Sequence, residues 1–318
     1  MEKRKLVVAV DIEKDLFDQI REVIPEWDVI VGKDRAIWID HVKDAEIIAG
    51  WKIEETLFKE NLQLRWMQSW SAGVNSLPLE KLAERNIVLT SANGVHAYPI
   101  SETIFALLLA LTRKIHTYVK NQQAKTWHHS GLKHEIHQKT IGIIGVGAIG
   151  KETAKIAKAF GMTVLGIRHS GRPEEFVDEI YTPDQLYQIL PRCDYVVITL
   201  PLTKETYHLF GAEQFKLMKN SAYLVNIGRG QIIAEEELIT ALREGQIAGA
   251  GLDVFETEPL SEDSPLWDLE NVIITPHTAG STEHYNKRVI EDIFIPNLKS
   301  YIQGKTPSIN LVDYEKGY

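Results

Sequence analysis

A chain of 318 residues is long for a single hydrophobic core and fits two domains of ordinary size. Its composition, 44% hydrophobic and 25% charged, excludes a disordered chain, and a formal charge of -9 with no long basic run disfavours a nucleic-acid groove. One cysteine, Cys193, can form no internal disulfide and suits a reducing cytoplasm, where it reads as a small buried hydrophobe.

The N-terminus, MEKRKLVVAVD, has the basic cluster and apolar run of a signal peptide, but the run stops at Asp11 and no small-residue cleavage site follows. It is therefore expected to be a first strand, and no segment approaches the roughly 20 apolar residues of a membrane span. The first hundred residues predict an α/β unit: strands at Leu6–Val10, Ile47–Ala49, Leu64–Met67 and Val88–Thr90, with a helix over Asp15–Ile24. A helix from Ser101 to about Val119 is apolar almost all round, through Ile104, Phe105, Leu107, Leu108, Leu109 and Leu111, and should be buried on several sides. Pro99 precedes it, Ser101 is a suitable N-cap, and such a helix fits a spine between two domains.

From Thr140 the alternation becomes regular. Strand Ile141–Ile144, a helix from about Ala148 to Phe160, strand Thr163–Ile167, a helix opened by Thr182-Pro183 and strand Tyr195–Thr199 make a βαβαβ unit. Crossovers of this length require parallel strands and lead to a doubly wound sheet. Further elements are expected at Tyr223–Asn226, Glu235–Arg243, Gly249–Asp253 and Val272–Thr275. A last helix from about Glu283 carries Val289, Ile290, Ile293 and Phe294 and should return to the first domain.

Gly145-Val146-Gly147-Ala148-Ile149-Gly150 follows the Ile141–Ile144 run and opens the next helix. A lone GxGxxG is weak, but after a strand and before a helix each glycine has a task. Gly145 turns tightly, Gly147 lets a pyrophosphate approach backbone N–H groups, and Gly150 brings helix and strand together. The plain alternative is a tight turn without a ligand. The second strand ends in Arg168-His169-Ser170-Gly171-Arg172, where a ribose-reading acid is expected and missing. Two guanidiniums and a hydroxyl there can hold a 2′-phosphate, which favours NADP while leaving NAD possible; a solvated basic loop beside a weakly discriminating site is the alternative.

Three later segments each place a polar group after a strand: Arg229 in Asn226-Ile227-Gly228-Arg229-Gly230, Glu258 after Asp253, and His277 in Thr275-Pro276-His277. Singly they read as a surface ion pair, a solvated acid and a packed histidine. Together, downstream of a dinucleotide loop, they supply a cation, a carboxylate and a histidine at the ends where doubly wound sheets bind ligands. No His, Cys or Asp spacing points to a metal.

With these motifs, and with VVITLPLTKET at Val196–Thr206, GAGLDVFETEP at Gly249–Pro259, PHTAG at Pro276–Gly280, Ser71-Ala72-Gly73-Val74-Asn75 and Ser101-Glu102-Thr103, the chain resembles the D-isomer-specific 2-hydroxyacid dehydrogenase family over nearly its whole length. Gly228 and Ser101 depart from the family's usual residues without touching its chemistry. The resemblance implies two doubly wound parallel-sheet domains, a Rossmann cofactor domain over residues 99–283 inserted in a flavodoxin-like catalytic domain of residues 1–98 and 284–318, closing over the substrate. It implies catalysis by Arg229, Glu258 and His277, with the imidazolium giving its proton to a substrate carbonyl. It adds cofactor contacts at Thr103, Leu200, Pro201, Thr206, Ile227, Gly228, Asp253, Ala279 and Gly280, Asp253 on the nicotinamide carboxamide. Substrate contacts are implied at Gly73 and Val74, with Trp51, Lys52 and Tyr98 walling the pocket or simply packing. The expected activity is that of a cytoplasmic, homodimeric NAD(P)-dependent reductase of a small 2-keto acid, glyoxylate or hydroxypyruvate leading, with no nucleic-acid or membrane partner. Phosphoglycerate dehydrogenase, phosphite dehydrogenase and a non-enzymatic NAD(H)-sensing corepressor are the alternatives.

Overall fold

The computed structural model describes residues 3–51, 61–74, 76–129 and 131–315. The chain divides into two compact units, Met1–Val95 with Thr282–Tyr318, and the contiguous His96–Ser281.

The discontinuous unit is built on five parallel strands: β1 (Lys5–Val8), β2 (Asp28–Val31), β3 (Ile47–Gly50), β4 (Trp66–Ser69) and β5 (Val88–Thr90). They lie in the order β2-β1-β3-β4-β5, the flavodoxin-like arrangement. β1, β3 and β4 are almost wholly buried, as strands covered on both faces must be, and so appear in the sequence as short apolar runs. β2 is an edge strand with Asp28 exposed and Val29–Val31 only partly covered; its apolar signal is too weak to stand out, and it was not expected. A helix from Tyr285 to Ile302, loosened into π geometry over Val289–Phe294, covers one face of this sheet. Val289, Ile290, Ile293, Phe294 and Leu298 share a core with Leu6, Val8, Ile20, Trp66 and Trp70, and Phe294 stacks on Trp66 at 5.1 Å. Arg4 and Tyr301 both bond Glu46, at 2.5 and 2.6 Å to Oε1, which ties the helix's end to the start of the chain.

The contiguous unit carries seven parallel strands: β6 (Thr140–Ile144), β7 (Thr163–Ile167), β8 (Glu179–Tyr181), β9 (Tyr195–Ile198), β10 (Tyr223–Asn226), β11 (Gly249–Leu252) and β12 (Val272–Ile274). The order β12-β11-β10-β9-β6-β7-β8 reverses between β6 and β9, and ligands of such sheets bind at that reversal, beyond the carboxyl ends of the strands. The edge strand β8 is short and partly exposed, and like β2 it left no apolar run to read.

One expectation is corrected here. The apolar helix begins at Ala97, four residues before Ser101, and ends at Thr112; Lys114, at φ +54°, breaks it from a separate helix over Ile115–Gln123. Ser101 is therefore no N-cap. It is buried, and its hydroxyl donates to Tyr98 O at 2.8 Å. Pro99 sits in the first turn, where a missing N–H costs no helical bond. Ile104, Phe105, Leu107 and Leu108 pack on the seven-stranded sheet beside Ile143, Val197 and Val225, which is why the helix is apolar around most of its circumference.

Candidate active site

The cofactor loop is shaped by contacts that only glycine permits. After β6 the chain turns at Gly145, whose φ of +115° side chains rarely adopt, and the N–H groups of Gly145 and Val146 both donate to Ile167 O of β7. Gly147 begins the helix Ala148–Ala159 without a side-chain cap and has open space where a Cβ would stand. At Gly150 a Cβ would come within 2.4 Å of Gly145 O, so any other residue would push the helix off the turn. Uncapped first-turn N–H groups beneath an open surface fit a dinucleotide pyrophosphate. Thr199, just past β9, donates to Gly145 O at 2.6 Å and ties the two sides of the strand-order reversal together.

At the end of β7, Arg168 is partly buried while His169, Ser170 and Arg172 are exposed. Gly171, at φ +61°, turns the chain, and Glu174 meets the strand-end cation Arg168 in space. Its Oε2 lies 3.0 Å from Arg168 Nη1 and 2.8 Å from Lys151 Nζ, and the Lys151 ammonium holds the Glu174 carboxyl below its usual range.

The catalytic candidates all lie past the carboxyl ends of β10, β11 and β12. His277 Nδ1 meets Glu258 Oε2 at 2.7 Å on a half-exposed ring, and Glu258 Oε1 accepts the Phe255 N–H at 3.0 Å, so Nδ1 is the ring nitrogen committed to the carboxylate. His277 is held at φ +53°, with its N–H donating to Asp253 O at 2.8 Å. Arg229 is exposed on extended backbone just beyond β10. The buried Asn226 brackets it, accepting from Gly228 N and donating to Arg229 O, both at 3.0 Å. The next residue, Gly230, lies so close to Phe255 that a Cβ would stand 1.8 Å from its carbonyl carbon, and Gln231 Nε2 donates to Glu256 O at 2.7 Å. Backbone contact thus joins the Arg229 loop to the segment carrying Glu258, and the 2.7 Å pair joins Glu258 to His277.

Asp253, read from the sequence as a nicotinamide contact, has its carboxylate turned onto the His277 loop. Oδ1 accepts from Thr275 Oγ1 at 2.5 Å and Thr278 N at 3.0 Å, and Ala279 N reaches both oxygens, at 3.2 and 3.0 Å. The other expected contacts are dispersed along the same unit. Thr103 lies in the Ala97–Thr112 helix and donates to Pro99 O, Leu200 flanks Gly145, Pro201 O accepts from Thr206 Oγ1, Ile227 and Gly228 are buried, and Gly280 O meets His96 Nδ1. Tyr98 is exposed near that helix's start. Trp51, Gly73 and Val74 belong to the other unit: Trp51 stacks on Tyr285 at 5.0 Å, Gly73 is partly exposed and Val74 is buried. Lys52 lies outside the described residues. Sequence reasoning missed Asn226, Gly230, Thr199 and Lys151; a buried amide ending an apolar strand was the signal available for the first.

The profile of the family described as "D-isomer specific 2-hydroxyacid dehydrogenase, NAD binding domain" matches residues 105–279. A glyoxylate reductase of Korarchaeum cryptofilum is 36% identical over 98% of this chain and 97% of its own length. A glyoxylate/hydroxypyruvate reductase B of Salmonella schwarzengrund is 37% identical over 80% of this chain and 79% of its own. Among solved structures, an NADPH-dependent glyoxylate/hydroxypyruvate reductase of Sinorhizobium meliloti, in complex with NADP and sulfate, superposes with a TM-score of 0.82 at 27% identity, covering 99% of this chain and all of its own.

Proposed function

Because the chain belongs to the D-isomer-specific 2-hydroxyacid dehydrogenases, we propose that it reduces glyoxylate or hydroxypyruvate to the 2-hydroxy acid, with NADPH favoured over NADH. The observation carrying this reading is the 2.7 Å His277–Glu258 pair past β12 of a sheet whose β6 loop fits a dinucleotide. A bound nicotinamide supplies the hydride. His277 supplies the proton: with Nδ1 committed to a carboxylate, the imidazolium presents Nε2–H to the developing alkoxide, and Glu258 orients the ring. Arg229 pairs with the substrate carboxylate and draws charge from the adjacent carbonyl. Asp253 acts on the reaction through the loop it holds.

The NADPH preference rests on the cations at Arg168 and Arg172 and on the absence of an acid at the strand end itself. We take the enzyme to work as a cytoplasmic homodimer with His96–Ser281 as its cofactor domain. The test is kcat/KM for glyoxylate, hydroxypyruvate, pyruvate and 3-phosphohydroxypyruvate, each with NADPH and NADH, with phosphite oxidation as a further arm. Glyoxylate or hydroxypyruvate with NADPH should lead. A tenfold lead for 3-phosphohydroxypyruvate or phosphite, or no turnover of any of these, would overturn the substrate assignment.

A further inference from the structure

Lys151 stands in the first turn of the helix Ala148–Ala159, its N–H donating to Gly147 O. A cation there opposes the helix dipole, so helix stability does not explain it. Its ammonium and the Arg168 guanidinium converge on one oxygen, Glu174 Oε2, at 2.8 and 3.0 Å. Two cations meeting at one point, beside the dinucleotide loop and at the end of β7, form a seat for an anion with more charge than a carboxylate. Gly171, at φ +61°, lies in the turn between Arg168 and Glu174.

Resting on the NADPH reading above, we propose that Lys151 and Arg168 form the seat of the cofactor's 2′-phosphate, and that Glu174 occupies this seat until the phosphate displaces it. Lys151 is then a phosphate ligand, and Glu174 is an internal competitor that sets how strongly the site prefers a phosphorylated ribose. A phosphate dianion makes charge-assisted bonds to both cations that a ribose hydroxyl cannot match. Glu174 subtracts from that gain by the worth of two partly exposed ion pairs, a factor of about three to ten in affinity. Binding of a non-phosphorylated ribose leaves the carboxylate where it is.

The test is calorimetric titration of the full chain at fixed low salt with adenosine 2′,5′-bisphosphate and, as the phosphate-free comparison, 5′-AMP. Glu174→Gln should tighten the bisphosphate about three- to tenfold and leave 5′-AMP unchanged. Lys151→Met should weaken the bisphosphate by about tenfold, again without touching 5′-AMP. If Glu174→Gln leaves the bisphosphate unchanged or weakens it, while Arg168→Met removes the preference for it, the competitor role is refuted and the NADPH reading stands. If wild type shows no preference and Arg168→Met changes nothing, the NADPH reading itself fails. A preference that appears only in Glu174→Gln would support the competition and refute NADPH selectivity in the native chain.

Discussion

Gly230→Ala tests whether backbone packing sets the distance between Arg229 and the His277–Glu258 pair, the proposed substrate-binding and proton-donating groups. The added Cβ would stand 1.8 Å from Phe255 C, 1.9 Å from Phe255 O and 2.4 Å from Glu256 N, where ordinary contact begins at 3.4 Å. The two segments must therefore part by 3.4 − 1.8 = 1.6 Å, and no flexible side chain lies between them to yield instead. Arg229 precedes the insult by one residue and Glu258 follows Phe255 by three, so Arg229 and the histidine's partner move apart. A 1 Å misplacement in a reacting constellation costs about 10²-fold, so kcat/KM for glyoxylate should fall by about two decades or more. Overpacking adds a destabilisation of about 1–3 kcal/mol, lowering Tm by roughly 2–10 °C for a unit of this size. The Gly145–Gly150 loop is on another strand, so affinity for 5′-AMP, which lacks the nicotinamide half, should hold in calorimetric titration. Activity within threefold of wild type at an unchanged Tm would refute the packing argument, and loss of 5′-AMP binding in step with activity would refute its locality.

His277→Ala should lose about two to four decades in kcat with NADPH affinity intact; a variant within fivefold of wild type would remove His277 as the proton donor. Asp253→Asn turns an amide donor toward N–H donors on the His277 loop, so unfolding in urea should show a loss of about 1–3 kcal/mol and kcat should fall with it; an unchanged midpoint and rate would show that the loop is held otherwise. Burial pushes the Cys193 thiol up to about 12, so Ellman's reagent at pH 8 should find no reactive thiol in the native chain and one in guanidinium, and prompt native reaction would contradict the packing. Burial opposes ionisation of Glu46, but hydrogen bonds from Arg4 and Tyr301 outweigh it and hold its carboxyl below the usual range. A depressed folded-state pKa stabilises above the unfolded value and is lost as pH falls through the folded one, so Tyr301→Phe should narrow the stability gap between pH 7 and pH 3 in thermal melts.

The central strands of both sheets were legible because strands covered on both faces must be apolar along their length: Thr163–Ile167 and Tyr223–Asn226 appear in the structure with the bounds their residues predict. The edges β2 and β8 were not, since an edge strand can be short and half polar. Ser101 misled because serine suits both an N-cap and a buried helical site where its hydroxyl bonds the preceding turn, and only tertiary packing chooses between them. Glu258 and His277 could be singled out because each follows an apolar strand, Glu258 six residues beyond Leu252, but that the two meet is a finding of the fold. The engagement of Glu174 with Lys151, 23 positions upstream, could not be read, because it depends on the path of the β7 loop and on where the helix starts. Asp253 shows the same limit: its place after β11 was plain, while the four hydrogen bonds that turn it onto the His277 loop belong to a register no local pattern encodes.

The divided unit has a consequence for how the chain emerges from the ribosome. Leu6, Val8, Ile20 and Trp66 are made first but share their core with Val289, Ile293, Phe294 and Leu298, which follow some two hundred residues later. Domains generally fold in order of synthesis, N-terminal first. Here the nascent N-terminal segment must wait with an apolar sheet face uncovered while the contiguous His96–Ser281 unit closes. That interval exposes Trp66 and Trp70 to solvent and to chaperones. Synthesis of the Tyr285–Ile302 helix, rather than exit of the sheet's own strands, is then the event that completes the first-made sheet.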